Sequence, residues 1–272
     1  MKTRIISGLC MVPLLVLVYL GGYFITALCI VIGFMGVNEL FNGFNAMDVR
    51  PSRAIAYGSM IVLYVIGVLF PMEHEFIIAW LAASVMASSI YMFRINERKI
   101  EDALATMLGI IYVIFFSYHV VMIDRTEIYS GMVWLVLLSA FCTDIFAYFT
   151  GVFLGKHKLC PNLSPKKTIE GAIGGTVGSI ICCGLFGKFL LPVVSGVYSA
   201  AMPDMTVHCL IIGLIGAVMA QCGDLTASAY KRKMGIKDYG TLIPGHGGIM
   251  DRFDSVLFTA PVVYYYIVLV LM

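Results

Sequence analysis

The sequence has 272 residues, of which 60% are hydrophobic and only 12% charged, with a formal net charge of +2. Because charged residues make up about 25% of an average soluble domain, this composition excludes an ordinary soluble globular protein. It predicts instead an all-α polytopic membrane protein, since a helix needs roughly 20 apolar residues to cross a bilayer core about 30 Å thick.

Hydropathy along the chain predicts about nine transmembrane helices. The first is expected to stay in the mature protein, because no small-residue cleavage site precedes the Gly21-Gly22 turn and a second apolar segment follows at once. The predicted spans run approximately over residues 5–20, 23–41, 54–70, 76–93, 103–123, 131–154, 171–191, 207–230 and 255–272.

Basic residues are distributed unevenly between the two sides of this topology. If the N-terminus is cytoplasmic, 16 of the 18 lysines and arginines lie on the cytoplasmic side, and only Arg125 and Lys188 lie outside. The positive-inside rule therefore predicts a cytoplasmic N-terminus. We expect an integral protein of the cell inner (plasma) membrane, with its active site facing the cytoplasm.

The two halves of the chain carry different kinds of residues. Up to Ile123 the spans look ordinary, and charge is expected only in short connectors such as FRINERKIED (residues 93–102). Beyond residue 123, polar motifs recur and face the cytoplasm in this topology. We therefore predict N-terminal transmembrane helices over residues 1–123 and a C-terminal transmembrane catalytic region over residues 124–272, which holds a cytoplasm-facing polar cavity.

Asp224 lies in an apolar run, about two helical turns before a cytoplasmic end, in AQCGDLTASAYKRK. Ser228 and Lys231 follow at i+4 and i+7, which places all three on one helical face. An acid at the centre of a membrane helix costs about 2.5 to 3.5 kcal/mol on insertion scales and usually faces a polar cavity. The alternative interpretation is that Asp224 snorkels to the interface or pairs with Lys231.

A second charged motif, LIPGHGGIMDRFDS, spans residues 242–255. Asp251 and Asp254 lie at i and i+3 of a helix start, where the macrodipole alone favours acids. That effect does not explain Gly247 and Gly248, since glycines let backbone approach a ligand closely and N–H groups at a helix N-terminus suit an anion. Carboxylates from two helices beside many lysines and arginines favour Mg²⁺ bound together with phosphates.

Two further features carry less specific signals. The loop NLSPKKTIEG precedes a glycine-rich helix start and lacks the spacing of a P-loop, so a plain basic cytoplasmic loop is an equal alternative to a phosphate site. Asp144 is either a further wall of the site or a structural buried acid. The candidate phosphate-binding residues of the loop are Ser164, Lys166, Lys167 and Thr168.

These motifs resemble the signature of the phosphatidate cytidylyltransferases (CDP-diacylglycerol synthases). The resemblance is carried by SAYKRKMGIKDYGTLIPGHGGIMDRFD (residues 228–254) and by DIFAYFTG, GKHKL and SPKKTIEGAIGG upstream. It is specific over about residues 144–255, whereas the N-terminal third matches only as apolar spans. Tyr230 and Ile169 depart from the family pattern, at positions that affect packing more than ligand chemistry.

The resemblance implies the reaction of CTP with phosphatidate to give CDP-diacylglycerol and pyrophosphate. It implies Mg²⁺ as cofactor, with a second cation as a further candidate, and a homodimer in contact with membrane lipid, without a nucleic acid partner. Asp224 and Asp251 would be metal ligands, with Asp144 and Asp254 as further candidates, and Lys231 would take part in catalysis. The residues that would bind substrate are Ser164, Lys166, Lys167, Thr168, Ser228, Arg232, Lys237, His246, Gly247, Gly248, Arg252 and Asp254.

Two other functions use similar residues. A CTP-dependent lipid kinase would attack a different phosphorus atom. An ion-coupled transporter would also carry intramembrane acids. The polar residues here cluster on one side of the membrane, however, and no inverted repeat with interrupted helices is visible, which disfavours the transporter.

Overall fold

A computed structural model describes residues 12–71, 73–126, 128–194, 205–242 and 247–272. Helices account for most of these residues, and the one sheet among them has two short strands. The predicted all-α polytopic membrane fold is confirmed. The seven cysteines in the described ranges are all free.

The chain forms two compact units, of which the first comprises Met1–Val121 and Lys231–Arg252. It therefore groups a late segment of the chain with the N-terminal helices. The predicted division into residues 1–123 and 124–272 is a functional one and stays a prediction. The N-terminal elements are α1 (Val12–Leu20), α2 (Tyr23–Asn45), α3 (Arg53–Leu69), α4 (His74–Ile90), a 3₁₀ turn (Tyr91–Phe93), α5 (Ile100–Leu108), a π-helical segment (Gly109–Phe115) and α6 (Phe116–Asp124).

The second unit comprises Met122–Tyr230 and Phe253–Met272. Helices α10 and α11 contribute residues to both units. The elements after α6 are a 3₁₀ turn (Ser130–Met132), α7 (Val133–Leu154), β1 (Lys158–Cys160), β2 (Ser164–Thr168), α8 (Ile169–Leu185), a π-helical segment (Phe186–Leu190), α9 (Leu191–Val194), α10 (Thr206–Met234), α11 (Met250–Tyr266) and a π-helical segment (Ile267–Leu271).

Seven helical stretches in the described ranges are long and apolar enough to cross a membrane. Helix α3 is apolar but shorter, and the predicted first span lies largely outside the described residues. The predicted count of nine spans therefore stays a prediction. The seven stretches are Tyr23–Asn45, His74–Phe93, Ile100–Asp124, Ser130–Leu154, Ile169–Val194, Thr206–Met234 and Met250–Leu271.

The predicted turn at Gly21-Gly22 is confirmed between α1 and α2. Both residues have positive φ, 66° and 55°, a conformation that glycine adopts without a steric penalty. Ser52 caps the N-terminus of α3, and its side chain accepts a hydrogen bond from the N–H group of Ile55 at 3.3 Å. That bond satisfies one of the backbone donors left unpaired at a helix start.

Strands β1 and β2 form an antiparallel hairpin, with Lys158 opposite Thr168 and Cys160 opposite Ser164. The sequence pattern predicted a loop for this segment, because strands of three and five residues are too short to show a clear alternation of apolar and polar positions. Thr168 ends the hairpin and caps α8, since its hydroxyl accepts a hydrogen bond from the N–H group of Gly171 at 3.1 Å.

Glu170, in the first turn of α8, fixes the other end of the hairpin. Its carboxylate accepts hydrogen bonds from the N–H groups of Lys156 at 3.1 Å and His157 at 3.2 Å. It also lies 2.6 Å from Nδ1 of the His157 ring. The segment that carries the predicted phosphate-binding lysines is thus attached to α8 at both ends.

Helices α7 and α8 pack closely through glycines of α8. A Cβ atom at Gly175 would lie 2.7 Å from the carbonyl oxygen of Thr143, and one at Gly171 would lie 2.8 Å from that of Ala147. Because these neighbours are backbone atoms, they have little freedom to move aside. Small residues at such an interface let two membrane helices approach each other.

We expect Gly175→Ala to lower the thermal unfolding temperature of the detergent-purified protein. The added methyl group overpacks the α7–α8 interface, which lowers the free energy of unfolding by about 1–3 kcal/mol. Gly58→Ala in α3 is the matched control, since a Cβ there has no heavy atom within 4 Å. It should leave the unfolding temperature unchanged or raise it slightly, as alanine favours helix over glycine. Equal effects of the two substitutions would contradict close packing at Gly175.

Candidate functional site

Asp251, in the first turn of α11, is held by three donors. Its side chain is 4% exposed. Oδ1 accepts a hydrogen bond from Nζ of Lys231 at 2.7 Å, and Oδ2 accepts from the N–H groups of Tyr239 at 2.8 Å and Gly248 at 2.9 Å. We call Lys231, Tyr239, Gly248 and Asp251 the Asp251 cluster.

The local sequence explains how this cluster forms. Lys231 comes from the last turn of α10, and its ammonium group also lies 5.5 Å from the centre of the Tyr239 ring, within the range of a cation–π interaction. Gly247 has φ of 83°, and a Cβ atom there would lie 2.6 Å from Oδ2 of Asp251. Both the backbone conformation and the available space therefore require glycine at position 247.

Glu39 of α2 binds the backbone beside this cluster. Glu39 is 7% exposed, and its two carboxylate oxygens accept hydrogen bonds from the N–H groups of Ile249 at 3.0 Å and Met250 at 2.8 Å. The expectation that charge in the first half of the chain is confined to connectors was wrong for Glu39. The missed signal was a lone acid within an apolar span, which by itself suggests a functional position.

The N–H groups of the glycine-rich segment contact anions of the chain itself. We expected these groups to suit an anion, and the anions that they contact in the structure are carboxylates. Gly248 donates to Asp251, while Ile249 and Met250 donate to Glu39. Substrate binding by Gly247 and Gly248 stays a prediction.

Asp224 of α10 belongs to a separate group of polar residues in the second unit. Its Oδ2 forms an ion pair with Nζ of Lys167, which lies on β2, and its Oδ1 accepts a hydrogen bond from Ser228 at 3.5 Å. The Lys167 and Asp224 side chains are 26% and 27% exposed. Lys231, the alternative partner expected for Asp224, pairs with Asp251. We call Lys167, Asp224 and Ser228 the Asp224 cluster.

The remaining predicted residues of the hairpin differ in exposure. Thr168 is buried and its hydroxyl caps α8, as described above, whereas Lys166 is exposed and Ser164 is half-buried. Asp144 is exposed on α7, so the alternative of a structural buried acid does not describe it.

The predicted residues around α10 and α11 also differ in exposure. Arg232 and Lys237 are exposed and Arg252 is half-buried. Asp254 is 7% exposed and accepts a hydrogen bond from the N–H group of Ser255 at 2.7 Å. His246 lies outside the described residues.

Both clusters offer carboxylate oxygens, which are the hard ligands that Mg²⁺ prefers. Within the described ranges, no three His, Cys, Asp or Glu side chains come together in a group able to hold a metal ion. The donors therefore do not fit a metal cage made of protein alone. They fit the usual mode of Mg²⁺, which is bound by one or two carboxylates and by substrate phosphates.

The fold and the described clusters define an integral membrane protein that pairs carboxylates with lysines at its candidate functional residues. The model of the cytidylyltransferase family matches residues 2–270. The chain belongs to the cytidylyltransferase family, and it is a nucleotidyltransferase. The resemblance inferred from the motifs is confirmed over almost the whole chain.

Two relatives that are named phosphatidate cytidylyltransferases agree with this assignment, and a third similar protein has no function in its name. The chain is 30% identical to the phosphatidate cytidylyltransferase of Bacillus subtilis over 280 residues, which cover 99% of this chain and 98% of the relative. It is 30% identical to the phosphatidate cytidylyltransferase of Synechocystis sp. over 308 residues, which cover 98% and 97%. It is 37% identical to the protein YnbB of Escherichia coli over 168 residues, which cover 60% and 53%.

The two neighbouring lysines of β2 allow a matched comparison. Lys167→Ala removes the cation paired with Asp224, so we expect it to lower the rate of cytidylyl transfer by at least about tenfold, or 1.4 kcal/mol of activation free energy. Lys166→Ala removes an exposed lysine one residue away and should have a clearly smaller effect. Steady-state rates of the two purified variants measure the difference, and a larger loss with Lys166→Ala would contradict the role of the ion pair.

Proposed function

We propose that this protein is a phosphatidate cytidylyltransferase, which converts CTP and phosphatidate to CDP-diacylglycerol and pyrophosphate in phospholipid biosynthesis. The observation that carries the proposal is the nearly full-length similarity to two proteins of that name. The signature over residues 228–254 supports it, since it includes Lys231 and Asp251 of the Asp251 cluster. No finding favours the lipid kinase or the transporter.

The reaction requires little covalent participation by the protein. A phosphate monoester has a second pKa near 6, so the phosphatidate headgroup is largely a dianion at neutral pH. Its oxygen attacks the α-phosphorus of CTP, the bond to the bridging oxygen of the β-phosphate breaks, and pyrophosphate leaves with that electron pair. The main barrier is repulsion between two polyanions, which fixed positive charge and in-line positioning reduce.

We assign Lys231 and Lys167 to phosphate binding. Each lysine neutralises an aspartate in the structure, and each can turn its ammonium group to a phosphate oxygen when substrate is present. Asp224 and Asp251 would hold Mg²⁺, which when bound supplies positive charge to the triphosphate. Asp144 and Asp254 remain further candidate metal ligands. A second cation remains a further candidate cofactor.

We also propose that the active site faces the cytoplasm in the inner membrane and that the protein forms a homodimer. The orientation is supported by the excess of basic residues on one side of the predicted topology. A site at the membrane surface lets the acyl chains stay in lipid while the headgroup meets soluble CTP. The homodimer is supported by the family resemblance.

The reaction is tested by following label from CTP. We expect label in the α-phosphate to enter the chloroform-soluble product when the purified protein is given phosphatidate, CTP and Mg²⁺, because the nucleoside monophosphate is transferred to the lipid. Label in the γ-phosphate should leave as pyrophosphate. Transfer of the γ-label to lipid, with release of CDP, would instead identify a lipid kinase.

The metal ligands are tested by Asp224→Asn and Asp251→Asn. Each amide lacks the charge that holds Mg²⁺, so we expect each variant to lose at least about 99% of the activity, which corresponds to an increase of roughly 3 kcal/mol in activation free energy. Each variant should still insert into the membrane. Titration of activity with Mg²⁺ measures the loss. Near-normal activity at ordinary Mg²⁺ concentrations would remove that residue from the proposed metal ligands.

Asp48→Asn is the matched control for the metal variants. Asp48 is an exposed acid that also pairs with a lysine, at 2.8 Å from Nζ of Lys99. A hydrogen bond from Lys99 lowers the pKa of Asp48 below its ordinary value, so its carboxylate is charged at neutral pH like a metal ligand. Its substitution should leave the activity and the Mg²⁺ dependence unchanged.

A further inference from the structure

We propose that Glu39 is a positioning residue that sets the orientation of Asp251 through the backbone of residues 248–250. The Glu39 carboxylate lies at the start of α11, where it accepts hydrogen bonds from the N–H groups of Ile249 and Met250. A carboxylate at this position is stabilised by the helix macrodipole. The effect of Glu39 on catalysis rests on the proposed function, whereas its contacts with the backbone of residues 248–250 do not depend on it.

Two glycines make room for the Glu39 carboxylate. A Cβ atom at Gly240 would lie 2.6 Å from Oε1 of Glu39, and a Cβ atom at Gly248 would also meet the carboxylate. Real Cβ atoms essentially never approach so closely. Glu39 is therefore in contact with the segment before α11 at two separate places, in addition to its two hydrogen bonds.

Three successive N–H groups divide between the two acids. Gly248 donates to Oδ2 of Asp251, while Ile249 and Met250 donate to Glu39. Peptide planes are rigid and successive planes share a Cα atom, so the direction of the two bonds to Glu39 constrains the direction of the bond from Gly248. If Glu39 releases the N–H groups of residues 249 and 250, we expect the bond from Gly248 to Asp251 to weaken as well.

The cost of placing Glu39 in an apolar span indicates a role beyond that of a simple helix cap. A carboxylate in an apolar span is costly, and a neutral Ser or Asn side chain caps a helix almost as well. The contacts of Glu39 with backbone that the structure gives are to Ile249 and Met250, with Gly240 and Gly248 beside it. All four residues belong to the segment that leads to Asp251.

The first test is Glu39→Gln in the full-length protein in detergent. The amide can accept one hydrogen bond through its oxygen, but its NH₂ group cannot accept the second, so one backbone donor is left unpaired. We expect hydrogen exchange of the residue 249 and 250 amides to accelerate at least about tenfold, and kcat to fall by at least about tenfold, with KM for CTP changed by less than about threefold. Exchange of the Gly248 amide should also accelerate, because its hydrogen bond to Asp251 loosens, while exchange away from residues 248–250 should stay as in the wild type.

Asp102→Asn is the matched control. Asp102 is 2% exposed, and its carboxylate also accepts two backbone hydrogen bonds, from the N–H groups of Arg50 at 2.6 Å and Lys99 at 3.0 Å. Its substitution should accelerate exchange at residues 50 and 99 and leave both kcat and exchange at residues 249 and 250 unchanged. An equal loss of kcat in the two variants would reduce Glu39 to a structural role and overturn the proposal.

A double substitution tests the contact between Glu39 and Gly248. Gly248→Ala alone pushes a methyl group into the carboxylate, whereas Glu39→Asp withdraws the carboxylate by one methylene, about 1.5 Å. If the two residues are coupled as proposed, the double variant regains kcat and protection at residues 249 and 250 relative to Gly248→Ala. Strict additivity would count against the coupling.

The outcomes separate this inference from the proposed function. Wild-type exchange and wild-type kcat in Glu39→Gln would overturn the positioning role even if the enzyme makes CDP-diacylglycerol. If the wild-type protein makes no liponucleotide, the proposed function fails, while faster exchange at residues 249 and 250 in Glu39→Gln still supports the positioning of this backbone by Glu39.

Discussion

The start of α11 carries backbone N–H groups that need acceptors, and two acidic side chains supply them. Asp251 accepts from Gly248, and Glu39 accepts from Ile249 and Met250. An unpaired backbone donor in a buried position costs about 1–3 kcal/mol, so the two acids stabilise this segment. The need to fit two carboxylates against one short stretch of backbone explains why the segment contains glycines where other residues would collide with them.

Each of the two aspartate clusters pairs an acid with a lysine. Lys231 neutralises Asp251, and Lys167 neutralises Asp224. Pairs of this kind contribute little net stability, because the cost of removing two charges from water offsets their attraction. Under the proposed function, their value lies in exchange, since a phosphate oxygen can replace the aspartate as the partner of each lysine and a divalent cation can replace the lysine as the partner of each aspartate. Each cluster therefore carries both signs of charge without leaving either sign uncompensated.

The sequence predicted the features that depend on local pattern. Long apolar runs indicated the membrane helices, the Gly21-Gly22 pair indicated a turn, and the spacing of Asp224 and Ser228 indicated a shared helical face. Contacts between residues that are far apart in the sequence could not be predicted from such local patterns. The bonds from Ile249 and Met250 to Glu39 join positions about 210 residues apart, and no local spacing reports them. The hairpin was missed for a different reason, because its strands are too short to show a period.

The position of Glu39 changes how the N-terminal helices relate to the chemistry. By composition they resemble a membrane anchor, which suggests that the C-terminal half works independently of them. The first compact unit, however, includes Lys231–Arg252 together with the N-terminal helices. Within this unit, Glu39 of α2 accepts hydrogen bonds from the N–H groups of Ile249, just before α11, and Met250, its first residue. Without α2, two buried backbone donors next to Asp251 would lose their acceptor. The N-terminal helices thus complete the hydrogen bonding of the segment that carries the proposed metal ligand, in addition to any anchoring that their apolar surfaces provide.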